Sequence, residues 1–208
     1  AAPAPAAAPV TTIRDAGGTA HFFPADAMDR ASVHAAHESI AAQLGAPTIL
    51  VNAAGGNDPK VTVTPERPIE SIALDDWRTN FEMNLVGGVL LPCQEFGPAM
   101  AARGKGSIIN IASVSAHLPL SRVVAYSASK AGLHRYLQSL RAELRGTPVV
   151  VTELAPGFID TDINRDKGAR PFLIDVDRGA AIMARMIERQ VGRRWVPVLP
   201  WTIIAQLL

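Results

Sequence analysis

Short apolar runs alternate with longer helix-patterned stretches along this chain, and that alternation limits its possible folds more than any other feature. The runs are His21-Phe22-Phe23, Thr48-Ile49-Leu50-Val51, Ser107-Ile108-Ile109-Asn110-Ile111, Val149-Val150-Val151-Thr152 and Trp195-Val196-Pro197-Val198. Several are apolar at consecutive rather than alternate positions, the pattern of strands covered on both faces. Helical periodicity occupies 30–44, 75–102, 125–145 and 176–190. Strands that alternate with helices predict an α/β protein, a parallel sheet with helices on both sides. No internal repeat or linker interrupts the pattern, so residues 1–208 read as a single domain.

The stretch 125–145 carries Leu133, Leu137, Leu140 and Leu144 on one stripe, the face of a helix that packs on a core. Asp75 and Asp76 stand where a helix would begin, where negative charge suits the helix dipole. From Gly55 to Leu74 the sequence holds Pro59, Pro65 and Pro68 and no sustained period. This predicts a long loop leaving the carboxyl end of a strand, the edge at which open α/β sheets bind ligands.

Composition removes several function classes. A formal net charge of +1 gives no electrostatic reason to expect nucleic acid as a partner. The single cysteine, Cys93, excludes an internal disulfide and a multi-thiolate metal site, which fits a reducing compartment. No apolar stretch approaches the roughly 20 residues a membrane span requires. The opening AAPAPAAAPV does not read as a secretory signal. The apolar tail from Trp195 to Leu208, behind Arg185, Arg189, Arg193 and Arg194, is expected to pack on the core; contact with a membrane surface is the weaker alternative. His34, His37 and Glu38 lack a third convergent ligand, so no metal site is assigned.

Tyr126-Ser127-Ala128-Ser129-Lys130 puts a phenol and an ammonium one helical turn apart, with β-carbons roughly 5–6 Å from each other. A free phenol has a pKa near 10 and is a poor base at neutral pH, and a close ammonium would lower it. The tyrosine could then exchange a proton with a carbonyl or alcohol oxygen. Ser113 ends the apolar strand 107–111, placing a hydroxyl at a carboxyl end, where it can donate to an oxygen on which charge develops. Ser115 competes for that role. Asn52-Ala53-Ala54-Gly55 leads a strand into small residues that allow close approach of another backbone or a flat cofactor. Asn84 lies inside a helical pattern, where asparagine is a poor former and wants a polar reason to exist. Pro156-Gly157-Phe158-Ile159-Asp160-Thr161 follows another strand's carboxyl end.

Together these residues resemble the short-chain dehydrogenase/reductase family, over about Ala20 to Leu199. Tyr126 and Lys130 match its YxxxK motif, Ser113 its catalytic serine and Asn84 its fourth catalytic residue. Asn52-Ala53-Ala54-Gly55 matches the NAG motif and Pro156-Gly157 the PG motif beside the nicotinamide; Asp26 with Ala27 resembles the pair that holds adenine. The resemblance implies a Rossmann-like doubly wound parallel sheet, NAD or NADP as cofactor, and interconversion of a ketone and a secondary alcohol. In that reading Tyr126 moves the proton, Lys130 lowers its pKa and bonds the nicotinamide ribose, and Ser113 steadies the substrate oxygen. Asn84 holds a water that relays protons past Lys130, and Ile159 and Thr161 line the carboxamide. It further implies a cytoplasmic homodimer or homotetramer built on helices 75–102 and 125–145.

The family's opening strand, its TGxxxGxG turn and the helix after it have no counterpart in this sequence; Gly17-Gly18 does not match that pattern. The domain is therefore expected to lack the first strand–helix–strand unit and to begin in the helix after the family's second strand. Strand 21–23 would then have lost its usual neighbour, and either moves against 48–51 or is held only by helices. Gly55 to Lys60 and Pro119 to Arg122 resemble the branch that acts on sugar acids, such as mannonate–fructuronate oxidoreductases. Arg122 or Lys60 could there meet a substrate carboxylate, against the alternative of solvated loop charges. The competing reading is a non-catalytic fragment or paralogue that keeps the fold and oligomer contacts without productive cofactor binding.

Overall fold

The computed structural model describes residues 7–161 and 170–207. Its elements are α1 (Ala7–Asp15), α2 (Arg30–Leu44), β1 (Ile49–Asn52), α3 (Leu74–Phe81), a π-helical segment (Glu82–Leu90), α4 (Leu91–Ala102), β2 (Gly106–Ile111), α5 (Val124–Glu143), β3 (Val149–Pro156), α6 (Val176–Glu188), β4 (Arg193–Val196) and α7 (Trp201–Leu207). The four strands form one parallel sheet in the order β1-β2-β3-β4. This is the Rossmann-like α/β architecture that the sequence implies.

Strands β2, β3 and β4 are buried on both faces because adjacent residues feed different cores. Val151 and Ala155 of β3 face α5, joining Leu133, Leu137, Val89 and Trp195. Leu154, between them in the alternation, joins Ile109, Val196 and Met186 under α6. A third cluster, Met100, Ile108 and Val149, seats α4. Leu137 is fully buried, and truncating such a side chain to alanine costs about 2–5 kcal/mol. Local signals agree with the packing. Asp29 caps α2 by accepting from Ala31 N at 3.0 Å, and Asp175 caps α6 by accepting from Arg178 N at 2.7 Å.

One expected strand is not formed: residues 21–23 pair with no other segment among the described residues. A parallel strand exists only by bonding to a neighbour, and this segment has not moved against 48–51. The segment runs as coil beside α2 instead, with Phe22 exposed and Phe23 partly covered. Strand β1 is consequently a sheet edge. Its Ile49 and Val51 are exposed, while α6 covers the same face further along the sheet. The last expected strand is shifted, occupying Arg193–Val196 rather than 195–198.

The tail turns back on the protein. Trp201 is buried beneath Phe158 and Phe172, so this side chain belongs to the core, as expected. No helix among the described residues is long and apolar enough to cross a membrane.

Candidate active site

The carboxyl ends of β1, β2 and β3 open on a cavity of about 640 Å³ whose wall includes Gly55, Ser113, Tyr126, Gly157, Phe158 and Thr161. Ser113 follows β2, and its hydroxyl accepts from Ser115 N at 3.2 Å, which starts the short turn Val114–Ala116. The competing Ser115 is buried and its hydroxyl oxygen is turned away from solvent. Tyr126 sits in the first turn of α5 and reaches the same cavity. Burial pushes its phenol upward, and the Ser113 side chain hydrogen-bonded to it works the other way.

Lys130 is buried one turn further along, and its ammonium donates to the Ile111 carbonyl at 3.0 Å. Its Nζ stands 5.7 Å from the centre of the Tyr126 ring. Burial brings the lysine down to about 8. The expected depression of the phenol by this ammonium is not met in this arrangement: the ammonium faces a main-chain carbonyl, and desolvation dominates the phenol.

Asn84 is fully buried in the π-helical segment. Its Nδ2 donates to Gly56 O at 2.8 Å and to Asn80 O at 2.9 Å, and its Oδ1 accepts from Gly56 N at 3.1 Å. The amide thus clamps the loop at Gly55-Gly56 from both sides. Gly55 has φ 126°, and a β-carbon there would lie 2.7 Å from Asn84 Oδ1, so glycine is required. Gly88 meets the backbone as closely: a β-carbon would fall 2.7 Å from Ala54 O and 2.8 Å from Met83 O. π-Helical insertions recur at functional sites because they re-aim side chains. Asn80 is buried like Asn84, and Asn80 Nδ2 donates to the same Gly56 carbonyl at 3.2 Å.

The remaining expected cofactor residues divide. Gly157 and Thr161 share the cavity with Tyr126, and Pro156 ends β3 beside them. Ile159 packs against the cluster under α6, with its side chain next to Gly179. Asn52 is turned into the sheet: its Nδ2 donates to Asn110 Oδ1 at 2.9 Å and lies 3.4 Å from Cys93 Sγ, pinning β1 to β2. Ala53 and Ala54 line a separate groove of about 210 Å³ together with Ala27 and Phe23. Asp26 is exposed; its Oδ1 accepts from Met28 N at 2.9 Å, and its backbone N donates to Ser32 Oγ.

Several site features escaped the sequence reading. Arg170 and Phe158 line the cavity, yet nothing in their spacing marks them. Asn80 was findable by the same signal as Asn84, an asparagine within a helical period. The structure also assembles His117, His134 and Glu153, whose ligand-type atoms lie within 4.8 Å of one another. Glu153 is fully buried in β3; His134 Nδ1 lies 2.8 Å from Oε1, His117 Nε2 3.5 Å from Oε1, and Arg141 donates to Oε2 at 3.4 Å. Arg193 faces His134 Nε2 at 3.4 Å, which fixes the proton on Nδ1, donated to Glu153. With two guanidinium groups around it, this is a charge-compensated network. Burial works to raise Glu153, but His117, His134 and Arg141 outweigh it and hold the carboxyl below its ordinary value. His34 and His37 likewise converge, both at 2.8 Å, on Glu95 of α4.

Fold and site together define a doubly wound α/β protein with a phenol, an amine and a hydroxyl gathered at the carboxyl ends of its strands. The chain belongs to the short chain dehydrogenase family, whose sequence model matches residues 2–171. It is 36% identical over 165 residues to an uncharacterized oxidoreductase, UxuB, of Bacillus subtilis (strain 168), covering 76% of this chain and 59% of that protein. It is 38% identical over 146 residues to a D-threitol dehydrogenase of Mycolicibacterium smegmatis, covering 70% and 53%. The structure of a gluconate 5-dehydrogenase from Burkholderia cenocepacia J2315, in complex with NADP and tartrate, superposes with a TM-score of 0.75 at 29% identity, over 92% of this chain and 79% of that one. The chain thus spans between half and three-fifths of these two curated relatives.

Proposed function

We propose that this chain carries the substrate half of an NAD(P)-dependent oxidoreductase that interconverts a ketone and a secondary alcohol, with a sugar acid as substrate. The observation that carries this reading is the meeting of Ser113 and Tyr126 on one cavity wall with Lys130 buried directly behind. The sugar-acid part is supported by the structural relative named as a gluconate 5-dehydrogenase; the D-threitol dehydrogenase, named for a neutral polyol, supports the secondary-alcohol chemistry alone.

The residues present fit the ribose and nicotinamide end of the cofactor. Lys130 has three N–H groups and one protein acceptor, Ile111 O, which leaves donors for ribose hydroxyls. Gly157 and Thr161 form the wall beside Tyr126. Pro156 and Ile159 hold that wall from behind. The adenine falls to Asp26 and Ala27, and Asn52, Ala53, Ala54 and Gly55 form the strand end beside which the cofactor would lie; Ala27, Ala53 and Ala54 line a common groove. A bound nicotinamide supplies or accepts the hydride.

The protein's own residues handle the proton. In reduction, the Tyr126 hydroxyl donates to the carbonyl oxygen as it becomes an alkoxide, and Ser113 donates a second hydrogen bond to the same atom. In oxidation the Tyr126 oxygen takes the alcohol proton. Lys130 orients the phenol and stabilises its ionised form once it swings from Ile111 toward the tyrosine. Asn84 acts through Gly56, holding the loop that lines the cavity.

We place the protein in the cytoplasm as a homodimer or homotetramer. The unpaired Cys93 and the exposed Leu74 and Val124 at the starts of α3 and α5 support this. The test is turnover: the chain joined to a glycine-rich nucleotide-binding unit should show NAD(P)H-linked oxidation of secondary alcohols that Tyr126→Phe abolishes. Full activity in Tyr126→Phe would sink the reading. Folded protein with no turnover, joined or not, would favour the non-catalytic alternative.

A further inference from the structure

One cation in the reaction cavity has no part in the proton chemistry. Arg170 lines the cavity with Ser113, Tyr126 and Phe158, and its guanidinium carbon lies 5.2 Å from the centre of the Phe158 ring. Stacking on an aromatic face holds a guanidinium flat and fixes the direction of its donors. Its Nε is buried and meets no acceptor among the described residues. Leaving a buried donor unpaired is unfavourable, and a cavity beside it offers a place for an acceptor.

The neighbouring charges sharpen the choice. An adjoining cavity of about 880 Å³ shares Asn57, Ser121 and Arg170 with the first and adds Arg67 and Arg122. Arg67 spends its NH1 on the Pro59 carbonyl at 2.5 Å. Arg122 is exposed and has Glu66 within electrostatic reach. Lys60, one of the two cations first considered for a substrate carboxylate, pairs with Asp76 at 3.5 Å and is mostly solvated. Among the described residues, Arg170 is therefore the cation with a buried donor that meets no acceptor on the wall that also holds Tyr126.

We infer that Arg170 is the carboxylate-recognising residue of the substrate site, and that the substrate is a polyhydroxy acid whose anionic end docks on this guanidinium. The inference rests on the oxidoreductase reading of the same cavity. A planar fork matches a carboxylate with two parallel hydrogen bonds, which a neutral polyol cannot offer. Discrimination then comes from the donor left unpaired when the acid group is missing, a larger effect than an added apolar contact.

Binding separates this from catalysis. Gluconate, mannonate, sorbitol, mannitol and glucose 6-phosphate would be titrated against the full chain, with and without NADP, by calorimetry and ligand-observed NMR. The expected result is hexonate binding at least about 10-fold tighter than hexitol binding. Arg170→Gln should erase that preference by weakening hexonate binding far more than hexitol binding, and Arg170→Lys should keep part of it. Raising salt should weaken hexonate binding alone. Thermal denaturation of each variant checks that it folds. Equal hexonate binding by wild type and Arg170→Gln overturns the inference. So does a wild type that binds hexitols equally well, prefers the phosphate ester, or binds no hexonate. Turnover of a neutral alcohol that survives Arg170→Gln but not Tyr126→Phe leaves the oxidoreductase reading intact, whatever Arg170 proves to do.

Discussion

The Lys130 ammonium stands 5.7 Å from the centre of the Tyr126 ring while its hydrogen bond goes to Ile111 O at 3.0 Å. The phenol ring and the amine of the candidate site are thus in cation–π contact, while the amine's hydrogen bond goes elsewhere. Each is shaped by burial first: the phenol is pushed up and the amine brought down to about 8. In the proposed reaction the remaining N–H groups of the amine would meet ribose hydroxyls, and stabilising the ionised phenol would need the ammonium to turn toward it.

Removing the phenol tests its role as the proton-transfer group. Tyr126→Phe should lower kcat by about 10²–10⁴-fold with little change in KM. Ser113→Ala, which removes one donor to the substrate oxygen, should cost about 10²–10³-fold. Steady-state kinetics on the chain joined to a nucleotide-binding unit would read both.

The lysine makes a prediction about stability. Its pKa is about 8 folded against an ordinary 10.5, so the folded state binds fewer protons between those values and gains stability as pH rises through them. Below 8 the cost of holding the charge indoors is fully present, about 3 kcal/mol. Lys130→Met should therefore inactivate the protein yet make it more stable than wild type at neutral pH, with the difference shrinking toward pH 10.5. Urea denaturation at neutral and alkaline pH measures it. A less stable Lys130→Met at neutral pH would contradict the assignment.

Glu153 makes the opposite kind of prediction. Its carboxyl is held below its ordinary 4.5, so its contribution to stability is complete above that value and drains away as pH falls through the folded pKa. Glu153→Leu should cost about 3–5 kcal/mol, because the Arg141 guanidinium and the His134 N–H lose their partner. The acid limb of a stability–pH curve should flatten in that variant.

Gly88→Ala should cost more than the usual helix gain from alanine, by about 1–3 kcal/mol. Its methyl would meet two backbone carbonyls, Ala54 O and Met83 O, neither of which can step aside alone. Because Ala54 adjoins the Gly55-Gly56 loop, ligand binding should weaken along with the melting temperature.

Dinucleotide binding checks the part of the family pattern that these 208 residues do not carry. The glycine-rich turn and helix N-terminus that meet the pyrophosphate in the family pattern are not found in these residues. Titration of NADH or NADPH, followed by fluorescence, should give affinity weaker than micromolar; micromolar binding would refute this.

The sequence by itself determined the layers and marked the candidate site residues. Consecutive apolar residues at 107–111 and 149–152 require strands covered on both sides, and the leucine stripe of α5 requires a core beneath it. A four-residue spacing on a helix and a hydroxyl at a strand end are local facts, so Tyr126, Lys130 and Ser113 were legible before any coordinates. Pairing and partner choice were not. Whether residues 21–23 become a strand depends on a neighbour to bond with, and none is supplied. Which acceptor Lys130 finds, which loop Asn84 clamps, and that Glu153 gathers His117, His134 and Arg141 are contacts between residues distant in the chain. Arg170 is the plainest case. Its number says nothing, and only tertiary packing lays it on Phe158 at the edge of the cavity, because electrostatic and hydrogen-bonding energies depend on separation in space.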